Sequence, residues 1–266
     1  MFDSYKREIN YLRISITDRC NLRCQYCMPE EGIKTLRHED ILNFDEIVDF
    51  VKVAVSLGVR KVRLTGGEPL VRRGVVDLVR MIAGVKGIDD LSMTTNGVLL
   101  ANFAQPLREA GLHRLNVSLD TLNAEKYKEI TRGGNINDVL NGLKVAREVG
   151  FSPIKLNCVI EKSSNDSHAI AVKEYAQLNG FEVRFIPRME LDKGTFGIVE
   201  GGDGGNCAIC NRIRLTANGQ VMPCLFSEMG FSVRELGALE AILKTISAKP
   251  ECGTLNAKGD FYNIGG

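Results

Sequence analysis

The chain has 266 residues, 44% hydrophobic and 25% charged, with a net charge of +1. That is ordinary globular composition, enough for one large domain or one with a small appendage. The balanced charge argues against nucleic-acid or membrane partners. No apolar run nears about 18 residues and residues 1–8 hold no apolar signal core, so a cytoplasmic protein with no membrane span is expected.

In chain order, Leu12 to Ile16 reads as a short apolar strand. Directly after it, Cys20, Cys24 and Cys27 stand in the spacing C-x3-C-x2-C. Four thiolates normally hold a [4Fe–4S] cluster. Three leave one iron without a protein ligand, an open position where metal chemistry occurs. A structural zinc knuckle is the alternative, although zinc sites usually use C-x2-C pairs and four ligands.

Residues 30–42 are polar and irregular. Asn43 then caps a helix with Glu46 three residues on, and Phe44, Ile47, Phe50, Val51, Ala54 and Leu57 recur at helical spacing until Gly58. Val62 to Thr65 is a strand ending in Gly66-Gly67-Glu68-Pro69, where glycines let backbone approach a ligand. A helix over 75–83 and a strand from Leu91 to Thr94 follow. A helix over 101–110 should be kinked or split by Pro106. Leu115 to Leu119 is a strand with Ser118 and Asp120 at its end. Helices over 124–131 and 136–149, a strand over 154–160, a helix over 166–178 and a strand over 182–186 complete the series.

Six strands alternating with helices predict an α/β fold with a parallel sheet. Six units are too few for a closed eight-stranded barrel, so a partial (β/α)6 TIM-like barrel is expected, with a doubly wound sheet as the alternative. Either way ligands bind at the carboxyl ends of the strands, where Thr17–Cys27, Gly66–Pro69, Thr94–Gly97 and Ser118–Asp120 lie. The alternation ends near residue 190. Residues 191–266 are read as a second, smaller region.

That region carries Cys207, Cys210 and Cys224 in the spacing C-x2-C-x13-C. Arg212 and Arg214 alternate with Ile213 and Leu215, which on a strand points both guanidiniums to one face. Asn218-Gly219 reads as a hairpin turn that folds Cys224 back beside Cys207 and Cys210. A zinc ribbon is one reading. A second cluster with an open iron is the other, and guanidiniums beside it suit an anionic substrate such as a phosphate. Cys158 reads as a buried small hydrophobe, and Cys252 has no assigned partner.

The first motif, with Tyr26 before its last cysteine, resembles the radical S-adenosylmethionine (SAM) superfamily. With Arg63-Leu-Thr-Gly-Gly-Glu-Pro-Leu, Thr94-Thr-Asn-Gly, Asn116-Val-Ser-Leu-Asp, the second cysteine motif and the terminal Gly265-Gly266, the chain resembles the GTP 3′,8-cyclase family of molybdenum-cofactor biosynthesis. The resemblance implies two [4Fe–4S] clusters, one on Cys20, Cys24 and Cys27 and one on Cys207, Cys210 and Cys224. It implies SAM contacts at Tyr26, Gly67, Ser118 and Met189, and GTP contacts at Arg13, Arg63, Thr94, Lys155, Arg184, Arg212 and Arg214. Arg13, Arg212, Arg214, Gly265 and Gly266 form its catalytic set. The implied partners are a flavodoxin or ferredoxin as electron donor and a downstream cyclic pyranopterin monophosphate synthase, with a homodimer allowed. The stretch 187–206 and the segment before Gly265 are shorter than in the family. Other readings are a radical SAM enzyme acting on a peptide, a zinc-stabilised scaffold, or a relative that binds SAM without cyclising.

Overall fold

The computed structural model describes residues 1–161, 163–189 and 196–253. Its strands are β1 (Tyr11–Ser15), β2 (Lys61–Thr65), β3 (Asp90–Thr95), β4 (Arg114–Ser118), β5 (Ile154–Ile160), β6 (Glu182–Pro187), β7 (Arg212–Leu215), β8 (Gln220–Met222) and β9 (Phe231–Ser232). Between them lie α1 (Phe44–Ser56), α2 (Val75–Ala83), α3 (Leu100–Glu109), α4 (Ala124–Thr131), α5 (Ile136–Glu148) and α6 (Ser167–Asn179), and α7 (Val233–Leu236) and α8 (Ala238–Ser247) follow β9.

One sheet runs in the order β6-β5-β4-β3-β2-β1-β7-β8-β9. β1 to β6 pair in sequence order, all parallel. A doubly wound sheet reverses direction at a switch point. Here there is no reversal among the first six strands, and right-handed crossovers then put their helices on one face. The result is the open, partial (β/α)6 barrel. β7 continues it by pairing parallel to β1, so the C-terminal third joins the same sheet, and β8 and β9 add on antiparallel.

The two faces of the sheet differ. Residues of the outer face, such as Leu12, Ile14, Val62, Leu64, Leu91, Met93, Leu115, Val117 and Leu156, are buried against Phe50, Leu78, Ile82, Leu107, Leu143 and Val172 of the helices. Cys158 belongs to this apolar layer, as its strand predicted. The inner face is polar. Parallel strands covered on both sides normally read as continuous apolar runs. These alternate along most of their length, because the barrel interior holds a site in place of a core.

Asn43 forms the expected capping box with Glu46. Pro106 does not split its helix: α3 is continuous from Leu100 to Glu109 with Pro106 inside it. Six residues precede Pro106 in the helix, so it forfeits an interior hydrogen bond. Burial of Leu100, Ala104 and Leu107 outweighs that loss. No helix among the described residues is long and apolar enough to cross a membrane.

Candidate active site

The inner face encloses a cavity of about 540 Å³. The cysteine loop stands at its carboxyl end, immediately after β1. Cys20, Cys24 and Cys27 all line the cavity, with Tyr26, Gly67 and Ser118. Cys20 helps raise the thiol pKa of Cys24, and both help raise that of Cys27. Burial is the larger cause for each, and it pushes Cys24 up to about 12.

The loop is held from several sides. Tyr26 Oη donates to Asp120 Oδ2 at 2.8 Å, and Val159 N donates to Asp120 Oδ1 at 2.8 Å. The Arg132 guanidinium donates to Arg23 O and Met28 O, both at 2.9 Å. Asn96 Nδ2 donates to Asn21 Oδ1 at 2.7 Å and sits 3.8 Å from Cys20 Sγ. Glu68 fixes the neighbouring strand ends. Its carboxylate accepts from Leu70 N, Thr95 Oγ1 and Asn96 N, and burial raises its pKa to about 7. Burial similarly raises Asp120 to about 6.

Gly66 and Gly67 also meet a packing constraint inside the protein. A Cβ on Gly66 would lie 2.6 Å from Thr17 O, and one on Gly67 would collide with Arg19 O. Gly67 N and Glu68 N donate to Thr17 O and Arg19 O, each at 2.8 Å. The glycines therefore let β2 run against the base of the cysteine loop, and that contact sets where the loop stands.

Register builds the rest of the cavity wall. Arg13 is paired with Arg63 on one side and with Arg214 on the other, and Tyr11 is paired with Arg212. Arg63 is paired with Ser92, Ser92 with Arg114, Thr94 with Asn116 and Asn116 with Lys155. The inner wall thus gathers Arg13, Arg63, Arg114, Lys155, Arg184, Arg212 and Arg214. Among the described residues, Asp90 pairs with Arg114, and Glu182 with Lys155 at 2.5 Å. Arg63 Nε reaches Ser92 Oγ at 3.3 Å and Arg184 reaches Asn116 Oδ1 at 3.4 Å, both neutral partners. Burial lowers the pKa of Arg13 and Arg63, and it brings Arg214 down to about 10; repulsion from neighbouring guanidiniums adds to each. Thr94 Oγ1, Asn157 Oδ1 and the Nε atoms of Arg184 and Arg212 are buried without a hydrogen-bond partner among the described residues. Buried polar groups normally find partners; the Nε–H groups of Arg184 and Arg212 and the Thr94 hydroxyl can donate to an anion, while the Asn157 oxygen can only accept.

The second cysteine set lies behind the wall. Arg214 is paired with Met222 across the hairpin, which brings Cys210 and Cys224 to the same end. Lys249 Nζ bridges them, donating to Arg212 O at 2.8 Å and Pro223 O at 2.7 Å. Burial works to raise the Cys210 thiol, but Lys249, with Arg212 and Arg214, holds it below its ordinary value. The Arg7 guanidinium ties Cys207 O to Glu251 O and Pro250 O. Cys252, unassigned from sequence, faces Cys207, whose charge raises its thiol pKa.

The cavity lining therefore includes Arg13, Arg63, Thr94, Lys155, Arg184, Arg212 and Arg214, and also Tyr26, Gly67, Ser118, Met189 and the first three cysteines. Cys207, Cys210 and Cys224 are not among the lining residues. Neither cysteine set closes into a metal shell among the described residues. Gly265 and Gly266 lie outside the described residues. Sequence reasoning missed Tyr11, Ser92, Asn116 and Asn157 on the inner face, and Arg7, Arg132 and Lys249 behind the loops. Period-2 alternation in all the parallel strands was the signal for the first group. It was read only in Arg212–Leu215. No local signal marks the second group.

Cysteines gathered on a loop at the carboxyl end of a partial barrel, beside a polar cavity, define a radical SAM fold. The radical SAM superfamily model matches residues 14–176. GTP 3′,8-cyclase of Pelotomaculum thermopropionicum is 41% identical, covering 94% of both chains. That of Petrotoga mobilis is 40% identical, covering 98% of this chain and 97% of its own. The crystal structure of Streptococcus suis SuiB bound to S-adenosylmethionine shares the fold, with a TM-score of 0.67 at 16% identity over 96% of this chain and 70% of that one. The chain belongs to the radical SAM superfamily and, within it, to the GTP 3′,8-cyclase family. The first match runs over 308 aligned positions against 266 residues here, so that relative carries internal segments with no counterpart in this chain.

Proposed function

We propose that this protein is a radical SAM cyclase that converts GTP to (8S)-3′,8-cyclo-7,8-dihydroguanosine 5′-triphosphate, the first step of molybdenum-cofactor biosynthesis. The observation that carries the reading is the pairing of Arg13 with both Arg63 and Arg214 in a cavity that also takes in Cys20, Cys24 and Cys27. A thiol pole stands at one end and a cation pole lies along the wall, as a reaction between SAM and a nucleoside triphosphate requires.

Cys20, Cys24 and Cys27 would hold the SAM-binding [4Fe–4S] cluster. Their shared place on the cavity lining fits it, because iron charge would favour the thiolates that burial alone disfavours. When bound, this cluster supplies the electron that cleaves SAM to methionine and a 5′-deoxyadenosyl radical. Tyr26, Gly67, Ser118 and Met189 would position SAM. Arg13, Arg63, Thr94, Lys155, Arg184, Arg212 and Arg214 would bind GTP, fixing the triphosphate and presenting ribose C3′ to the radical and C8 to C3′. The walls exclude water from both.

Cys207, Cys210 and Cys224 would hold a second [4Fe–4S] cluster, and the cations around Cys210 suit thiolate ligands. Residues 1–190 would carry the radical chemistry and 191–266 the second cluster and the Gly265-Gly266 tail. A flavodoxin or ferredoxin would reduce the first cluster, and a cyclic pyranopterin monophosphate synthase would take the product, in the cytoplasm. Protein reconstituted anaerobically with iron and sulfide tests the reading. With dithionite, SAM and GTP it should form 5′-deoxyadenosine and a new nucleotide of GTP's mass. Deoxyadenosine formed equally without GTP would remove the substrate assignment.

A further inference from the structure

One side chain on the cavity wall has no role so far. Tyr11 opens β1 and is the one aromatic residue on the inner face of the described parallel strands. Its ring centroid lies 5.4 Å from the Arg63 guanidinium carbon and 5.7 Å from that of Arg212. Two cations on one ring are each attracted to it and are kept apart by it. In register Tyr11 pairs with Lys61 on one side and Arg212 on the other, and Arg13 follows it on the same face of β1. Tyr11 thus stands at the centre of the cation pole, about 15 Å along β1 from the cysteine loop at roughly 3.3 Å per residue.

Its hydroxyl is buried and has no hydrogen-bond partner among the described residues. A phenylalanine would give the same ring contacts without that loss, so packing alone does not account for a tyrosine here. The hydroxyl can donate, and the groups crowding it are themselves donors. What satisfies donors on every side is an oxyanion with several acceptor oxygens.

We propose that Tyr11 is a further substrate-binding residue, its hydroxyl donating to a phosphate oxygen of the nucleoside triphosphate while its ring spaces Arg63 and Arg212 around that group. This rests on the reading of the cavity as a GTP site. It adds a neutral donor among the charged ones and makes the phosphate end, not the base, the part of GTP that Tyr11 recognises.

The test is calorimetric titration of the anaerobically reconstituted protein without SAM, using GTP, inorganic tripolyphosphate and guanosine. Tyr11→Phe should weaken GTP and tripolyphosphate about tenfold each, the effect of one hydrogen bond to a charged group, and leave guanosine unaffected. Tyr11→Leu should weaken both phosphates further, because the guanidiniums lose their shared ring. The ligand-free Tyr11→Phe protein should melt no lower than wild type. GTP bound equally by Tyr11→Phe and wild type would overturn the proposal, as would a loss seen with GTP but not tripolyphosphate. A large fall in the ligand-free melting temperature would make the hydroxyl structural and also overturn it. If wild type binds tripolyphosphate but not GTP, the GTP reading itself fails.

Discussion

Tyr26 Oη donates to Asp120 Oδ2 at 2.8 Å, joining the loop of the first three cysteines to the chain just past β4. Asp120 also accepts from Val159 N, so one carboxylate orients the loop against two strand ends. Tyr26→Phe should leave a buried carboxylate oxygen without its donor and cost about 1–2 kcal/mol. Thermal unfolding of the metal-free protein measures this. The reconstituted variant should also retain iron less well on exchange into chelator.

The cation wall predicts a trade between stability and binding. Arg63 is buried beside Arg13 in register and makes its polar contact with a neutral serine. Arg63→Met should therefore not lower the melting temperature of ligand-free protein, since it removes like-charge repulsion and a desolvated charge. GTP affinity should fall at least about tenfold. In wild type, added salt should weaken GTP binding. Melting curves with and without GTP test both halves.

Glu68 predicts a pH dependence. Burial raises its folded pKa from 4.5 to about 7. Below pH 4.5 the carboxyl is protonated in both states. As pH rises from 4.5 to 7 the unfolded chain releases the proton while the folded protein keeps it, so this group's contribution to stability declines across that window and is level above it. The decline is on the order of 3 kcal/mol. Glu68→Gln should lack it. Chemical denaturation of both metal-free proteins at pH 5 and pH 8 gives the difference.

The two cysteine sets should separate by iron content. Cys24→Ser and Cys224→Ser should each lose about four irons per chain relative to wild type. Only Cys24→Ser should abolish reductive SAM cleavage. Lys249→Met should destabilise the second site without touching the first, because it leaves Arg212 O and Pro223 O without their donor. Colourless zinc-loaded protein at the second site would contradict the assignment.

Much of this was legible because strong local signals and tertiary packing agree. The six parallel strands and their helices fall within one or two residues of the sequence reading, since apolar periodicity there serves a single core. Asn43 and Glu46 marked a helix start through chemistry confined to one turn. Pro106 does not split its helix, because burial of Leu100, Ala104 and Leu107 overrules the local rule. The glycines at 66 and 67 stand at the end of β2, and their contact with Thr17 and Arg19 lies across the sheet, which no window of sequence contains. Lys249 and Arg7 were invisible for the same reason. Each acts on carbonyls of loops far away in the chain, and a cation donating to backbone leaves no motif.

In the proposed reaction this cavity brings ribose C3′ of GTP to the adenosyl radical. This step is tested most directly with GTP carrying deuterium at C3′, incubated anaerobically with reconstituted protein, dithionite and SAM. Deuterium should appear in 5′-deoxyadenosine and be lost from a cyclised nucleotide. Deoxyadenosine that stays unlabelled while GTP is consumed, or GTP recovered with all its deuterium beside abundant deoxyadenosine, would contradict it.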